Sequence, residues 1–571
     1  MKNKIIMVGT ALLVSAAVNG AQKPNVIIVM TDDQGYGDLH CTGNPHIQTP
    51  NIDKLYGESV RLPNFHVDPT SSPTRSALMT GRYSSRTGVW HTLQGRSIMD
   101  AQEVTIAQVF KDNGYRTGIF GKWHLGDSYP YHPSYRGFDE SVTFGGGGVG
   151  QNPDYWRNDH FDDMYMHNRE WKYYEGYCTD VWFREAGRFI EEHKSEPFFC
   201  YIPTDAPHFW YFVPENYVTP YREKGMSDQR ARFSGMITSV DENIGALRDK
   251  LARLGIADNT IFIFMTDNGS GYAKRDDFYY NADMRGAKAS VYEGGHRVPF
   301  FIYYKDGKLS GGRDVDQLAG HIDMLPTLAN ICGLSDLSRL RGADIDGMDI
   351  TPQLQGKAKA NNRTMVVHQQ RLDIPLKYRQ YCVMNGMWRL VGDMDKLELY
   401  DLASDPGQNT NLAAGEPSRV KTMKALYEKW WDHISERMNS HSEIYLGAEQ
   451  EPVSWLTCHD WHSEKQLRTW NQDDIRQKIH GNGYWTVKVL HSGTYNITLR
   501  TYPYQEDVSM EVERVKMIIG DGSWEVKCFP GASQVTLSVP LKAGSYRMQT
   551  WMYEAGGKEY GAPYAYVEFV K

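Results

Sequence analysis

Positions 26–30 form an unbroken apolar run, Val26, Ile27, Ile28, Val29 and Met30, which stops at the polar group Thr31, Asp32, Asp33 and Gln34. A short continuous run bounded in this way reads as a buried parallel strand with polar residues at its carboxyl edge. The same pattern recurs three times. Thr117 to Phe120 lead to Lys122 and His124, Phe198 to Ile202 lead to Asp205, Pro207 and His208, and Ile261 to Met265 lead to Asp267 and Asn268. Between these runs, 182–193 and 234–254 carry helical patterns. Strands alternating with helices predict an α/β sheet whose site lies at the carboxyl edge of its strands.

The pattern changes near residue 360. Short strand-like runs at 364–369, 378–384, 387–391 and 398–402 precede a segment with Val420, Met423, Tyr427, Trp430, Trp431 and Ile434 at helical spacing. This predicts a small antiparallel β subdomain with one helix over 361–450. From 451 to 571, runs at 484–490, 495–502, 535–539 and 546–552 are separated by turns at Ser492-Gly493 and Ala543-Gly544. They predict a C-terminal β-sandwich. The α/β region then occupies 22–360.

Length and composition agree with this division. A chain of 571 residues exceeds one ordinary core, and 23% charged with 40% hydrophobic residues places it among globular proteins. A net charge of -8 without a basic run speaks against nucleic acid as a partner. Lys2 and Lys4, an apolar stretch from Ile5 to Ala17, and small residues at Gly20 and Ala21 predict a signal peptide over 1–21. The apolar stretch is too short to span a bilayer and no Cys follows it, so we expect a periplasmic or secreted protein with no membrane anchor. Seven scattered cysteines form neither a disulfide framework nor a zinc pattern.

Asp32, Asp33, Asp267 and Asn268 follow strands that a parallel sheet brings side by side. Three carboxylates and an amide suit a hard cation, Ca2+ or Mg2+; the competing reading is helix capping. Lys122, His124, His208 and Lys288 stand at or near the same edges. Lys122 and His124, two apart, are expected to face the same way on an extended edge. Arg75 lies one helical turn after Ser71. The 15 Trp and 36 Tyr are open to two readings, a β-rich core or sugar stacking.

Ser71, Pro73, Arg75, Thr80 and Gly81 stand at the spacing Cys/Ser-x-Pro-x-Arg-x4-Thr-Gly. With Asp32-Asp33, the run Gly121 to Gly126, Pro207-His208, Thr266 to Gly269 and Lys288, this resembles the type I sulfatases of the alkaline phosphatase superfamily over most of the first 350 residues. The resemblance implies that fold, with a large mixed sheet flanked by helices, and secreted bacterial carbohydrate sulfatases as the nearest kind. It implies that Ser71 is oxidised to formylglycine (3-oxoalanine), whose hydrate is the nucleophile. One Ca2+ ion, with Mg2+ the less favoured ion, would be bound by Asp32, Asp33, Asp267, Asn268 and the modified Ser71. Arg75 and His124 would manage the hydrate. Lys122, His208 and Lys288 would hold the sulfate, with His208 or Lys288 as the acid. Serine in place of the commoner cysteine implies a serine-type sulfatase-maturing enzyme as a partner.

The polar and aromatic segment 152–168 suggests a sugar contact through Trp156, Arg157, His160 and His167, with Arg285 added; packing on the core is the equal alternative. The overall resemblance leans towards sulfated galactose or N-acetylgalactosamine, with the 4-O-sulfate as the expected ester. Two rival readings stand beside it. One is a phosphomonoester or phosphonate hydrolase of the same superfamily, and the other is a non-catalytic glycan-binding protein.

Overall fold

A computed structural model describes residues 23–340, 344–465 and 467–570. The segment expected to be a signal peptide lies outside the described residues. Asn25–Thr31 lies at the centre of a ten-stranded sheet, parallel to Thr260–Thr266 on one side and to Phe198–Pro203 on the other. Arg116–Lys122 and Glu140–Phe144 continue the parallel part. Phe300–Tyr303 and Met164–His167 join antiparallel, so the sheet is mixed.

The unbroken apolar run of the central strand follows from burial on both faces. Ile27 and Val29 enter one core, under the helices Cys178–Glu192 and Asp228–Arg253. Val26, Ile28 and Met30 enter the other, with Leu78 and Met79 of Ser71–Thr80 and Leu325 and Leu328 of Met324–Ile331. Each such side chain contributes about 1.5–3 kcal/mol through burial. The pairing continues past the strand ends. Asp267 N donates to Thr31 O at 3.0 Å and Asp32 N to Ala206 O at 3.1 Å. The polar edges are thereby locked in register where the chemistry-bearing residues begin.

Thr364–His368, Tyr381–Asn385, Trp388–Asp393 and Lys396–Asp401 form a four-stranded antiparallel sheet in chain order. Met423, Tyr427, Trp430, Trp431 and Ile434 of the helix Pro417–Ile434 pack on it. Two further sheets share one core that includes Trp485, Ile497, Val515 and Val567. Ile98, Tyr131 and Trp156 of the large α/β region also enter that core. Ile444–Leu446 pairs with Tyr484–Val489, so the sheets of the last segment begin at that strand. All seven cysteines are free thiols, five of them buried. Among the described residues no helix is long and apolar enough to cross a membrane.

Candidate active site

Ser71 is the first residue of the helix Ser71–Thr80, preceded by an extended Thr70 that makes no side-chain cap. Its backbone N–H is therefore among the unpaired donors of a helix start, at the positive end of the helix dipole. The Ser71 Oγ lies 3.1 Å from Asp32 Oδ1 and 3.3 Å from Asn268 Oδ1. One turn along, Arg75 Nη2 donates to Asp267 Oδ2 at 2.8 Å and Nη1 to Lys122 O at 3.2 Å. Ser71, Arg75 and Lys122 are all within 1% of complete burial.

The carboxylate oxygens of Asp32, Asp33 and Asp267 lie within 4.8 Å of one another. Lys122 pairs with Asp32, Lys288 Nζ reaches Asp33 Oδ1 at 2.5 Å, and His208 Nε2 is 3.9 Å from Asp33 Oδ2. Burial works against ionising Asp32 and Asp33, yet these cations hold both carboxyls below their usual range. Burial and the neighbouring Asp32 push Asp267 up. Burial lowers Lys122; it also opposes the charge on Lys288, but Asp33, Asp32 and Asp267 together outweigh it and raise that group. The oxygens of Asp32, Asp33, Asp267, Asn268 and Ser71 are a buried, all-oxygen donor set, which fits a hard divalent cation.

Two other clusters, His66 with Glu293 and His296, and Asp373 with His441 and His462, do not fit a cation in this way. Each brings two imidazoles and a single carboxylate rather than the all-oxygen set that a hard cation takes.

The strand ends at Lys122, and His124 takes a left-handed φ of 59° rather than the extended form expected from the sequence. Its ring still faces the site. Its Nε2 lies 2.8 Å from Thr92 O, and Nδ1 has no hydrogen-bond partner. Gly147 explains part of the glycine run 145–148. A Cβ there would lie 2.2 Å from the His124 ring, so only glycine lets the loop pack on it.

Ser71, Asp33, Lys122, His124, His208 and Lys288 line one cavity of about 280 Å3. Its other walls were not found by sequence reasoning. Phe209 and Trp210 directly follow the Pro207-His208 turn, and that adjacency was a usable signal. Arg371 comes from the antiparallel subdomain, and Trp470 and Asn471 from the terminal segment; no local pattern marks any of them.

The five residues expected to touch sugar do not line this cavity, and each has a partner elsewhere. Trp156 is buried against the terminal β-domain, with Tyr502 5.6 Å away. Arg157 pairs with Glu506 at 2.9 Å. His160 lies 3.4 Å from Asp205, and His167 bonds the Tyr174 hydroxyl at 2.8 Å. Arg285 stacks 3.8 Å over Tyr292 and bonds the Tyr400 hydroxyl at 3.0 Å. For segment 152–168 the packing alternative describes the geometry.

Comparison with known proteins agrees with this arrangement. The Sulfatase family model matches residues 24–334, and that of the N-sulphoglucosamine sulphohydrolase C-terminal region matches 286–436. The chain is 30% identical to an N-acetylgalactosamine-6-O-sulfatase of Bacteroides thetaiotaomicron over 72% of its length and 93% of that protein's. It is 30% identical to the N-acetylgalactosamine-6-sulfatase of Canis lupus familiaris, over 60% of this chain and 69% of that one. Among solved structures it resembles Ps i-CgsB in complex with a neocarrahexaose, with a TM-score of 0.66 and 26% identity, covering 74% of this chain and 95% of that one. A family model that spans more than half of the sequence, on an alkaline-phosphatase-like α/β fold, settles the family: the chain belongs to the sulfatases and is a sulfuric ester hydrolase.

Proposed function

We propose that this protein removes sulfate from carbohydrate, with galactose or N-acetylgalactosamine as the sulfated sugar. Ser71, Asp33 and four basic side chains converge on one cavity, with Asp32, Asp267 and Asn268 bonded to Ser71 or Asp33, and this convergence carries the reading. Two aromatic walls, Trp210 and Trp470, offer faces on which a pyranose can stack. The names of the relatives favour a 6-O ester over the 4-O ester expected from sequence.

Asp32, Asp33, Asp267, Asn268 and residue 71 would hold one divalent cation, Ca2+ on this donor chemistry, which supplies positive charge beside the sulfate. Formylglycine, made from Ser71 by a serine-type maturing enzyme, supplies a hydrated aldehyde as nucleophile. Lys122, His208 and Lys288 bind sulfate oxygens. His208 and Lys288 flank Asp33 and are the two groups able to give the leaving oxygen a proton. The Thr92 carbonyl faces His124 Nε2 and so favours a proton there. That leaves the unpartnered Nδ1 free to accept a proton. Arg75 fixes Asp267 and the helix that carries Ser71. We place the protein in the periplasm or outside the cell, from the segment 1–21.

The test uses Ser71→Cys protein made in a host that converts Cys in this motif to formylglycine, with sulfate release read by ion chromatography. The substrates are galactose and N-acetylgalactosamine 4-O- and 6-O-sulfates and the matching phosphates. Release from one sulfated isomer, abolished by Ser71→Ala, is expected. Phosphate release alone would move the assignment to the hydrolase rival. No release from any ester, with the aldehyde confirmed by peptide mass, would overturn the sugar assignment.

A further inference from the structure

A second cavity, of about 630 Å3, lies at the seam between the large α/β region and the terminal β-domain. It shares no lining residue with the catalytic cavity. Its size is in the range of pockets that hold small organic ligands. Three observations define its chemistry.

The first is the outer face of a β-sheet. Along Val453–Thr457, Ser454 and Leu456 point into the core and Trp455 points out. Along Tyr564–Val570, Ala565 and Val567 point in and Tyr566 points out. Trp455 and Tyr566 are direct cross-strand partners. An outward position of an antiparallel sheet is ordinarily polar. Here it carries two aromatic rings that border a cavity, and Tyr504 lies 4.0 Å from Tyr566 with half its surface exposed.

The second is a pair of buried polar atoms without a protein partner. His132 is 4% exposed and lines the cavity, and its Nδ1 accepts from Ser134 N at 3.2 Å. Burial pushes its pKa down to about 3, so the ring is neutral and its proton sits on Nε2, a donor with no acceptor. Asn152 also lines the cavity and is fully buried. Its Nδ2 is bonded to Thr469 O, and its Oδ1 is an acceptor with no donor. Leaving such groups unpaired is costly, so a hydroxyl that reaches either is favoured. A sugar hydroxyl is a donor and an acceptor at once.

The third is charge. Asp127, Asp154 and Glu451 line the cavity, and burial raises all three carboxyls. Raised carboxyls hold protons more readily and can donate to as well as accept from a hydroxyl, and Arg169 lines the same cavity. Aromatic faces and polar atoms matched to hydroxyls together suit a pyranose.

We propose that this seam is an accessory carbohydrate site that holds a stretch of a glycan chain apart from the residue whose sulfate is removed. Its existence does not depend on the catalytic reading. Trp455 and Tyr566 supply the stacking floor, Tyr504 the rim, and His132 and Asn152 the fixed hydrogen bonds.

The experiment is calorimetric titration of full-length Ser71→Ala protein with neutral β-1,4-galactotetraose. Saturable binding is expected, weakened at least tenfold by Trp455→Ala and by Tyr504→Ala in the same background. Trp470→Ala, in the catalytic cavity, should leave it intact. If Trp455→Ala fails to fold, Tyr504→Ala decides the matter, because that ring sits half exposed in a loop. Absence of saturable binding, or binding that survives the folded cleft variants, overturns the proposal. So does loss in Trp470→Ala instead, which would place the sugar in the catalytic cavity. Sulfate release by the wild-type enzyme is measured separately, so failure of either assignment leaves the other readable.

Discussion

Removal of Arg389 should destabilise the protein far more than its position on a small subdomain suggests. Arg389 and Glu293 are both 0% exposed and meet at 2.6 Å between Nε and Oε1. Arg389 also donates to Gly386 O at 2.7 Å and to Asn64 Oδ1 at 2.9 Å, tying the antiparallel sheet to the large one. Arg389→Met would leave the Glu293 carboxylate buried without this partner. Loss of one member of such a pair costs about 3–5 kcal/mol, because the other charge stays uncompensated. The double variant Arg389→Met, Glu293→Gln removes both charges and should recover about half of that loss.

The pH dependence gives a second readout. Burial opposes ionisation of Glu293, but Arg389 and the nearby His66 and His296 hold its carboxyl well below the usual range. A depressed carboxyl contributes stability that is present above its ordinary value of 4.5 and is lost as pH falls below it. In Arg389→Met, Glu293 takes up a proton on acidification and sheds the buried charge. The gap from wild type should therefore be wider at pH 8 than at pH 5. Urea unfolding followed by tryptophan fluorescence at both pH values, on the two single variants and the double, measures this. A double variant as unstable as the sum of the singles, with a gap equal at both pH values, would refute the reasoning. Activity should fall as well, because Gly295 O accepts from Gly269 N at 3.0 Å, next to Asp267 and Asn268.

Asp241 accepts hydrogen bonds from Ile52 N at 2.7 Å and Asn51 N at 3.2 Å, capping the helix Pro50–Glu58 from a neighbouring helix. Asp241→Ala should cost about 2–3 kcal/mol, seen as a lower urea midpoint with the slope unchanged. Burial raises Glu451 from 4.5 to about 7, so its native carboxyl keeps a proton that the unfolded chain has lost. Stability is then greatest below pH 4.5 and falls by about 3 kcal/mol as pH rises through 7, at about 1.4 kcal/mol per pH unit. Glu451→Gln should flatten that slope in thermal melts run from pH 4.5 to 8. Trp470→Ala should raise KM for the sulfated sugar about tenfold with kcat within a factor of two, because stacking of this size acts on the bound sugar and on the transition state alike. A fall in kcat at unchanged KM would place Trp470 in the chemical step.

Some parts of this protein were legible because one local rule decides them. A strand buried on both faces must be apolar throughout, so 26–30 and 261–265 announced themselves, and the polar residues that follow had to lie at one sheet edge. Ser71, Pro73 and Arg75 needed only one helical turn to be placed. The cavity walls answer to no such rule. Arg371, Trp470 and Asn471 stand hundreds of residues from Ser71, and tertiary pairing alone brings them there. The segment 152–168 shows the same physics from the other side. Sugar contact and packing are equal readings of its sequence, and of the four residues singled out there Trp156 and Arg157 meet the terminal β-domain while His160 and His167 meet Asp205 and Tyr174. Asn152 N donates to Trp470 O at 3.2 Å, Gln472 N to Gly150 O at 3.2 Å, and the Gln472 side chain bonds the carbonyls of Gln151 and Tyr155 at 3.0 Å each. Gln151 in turn holds Gly147 N at 2.7 Å, where the loop packs on His124. The domain that offered no functional motif thus fixes the loop that packs on His124. A chain truncated before the terminal domain would lose not only Trp470 but also the support of the Gly147 loop against His124.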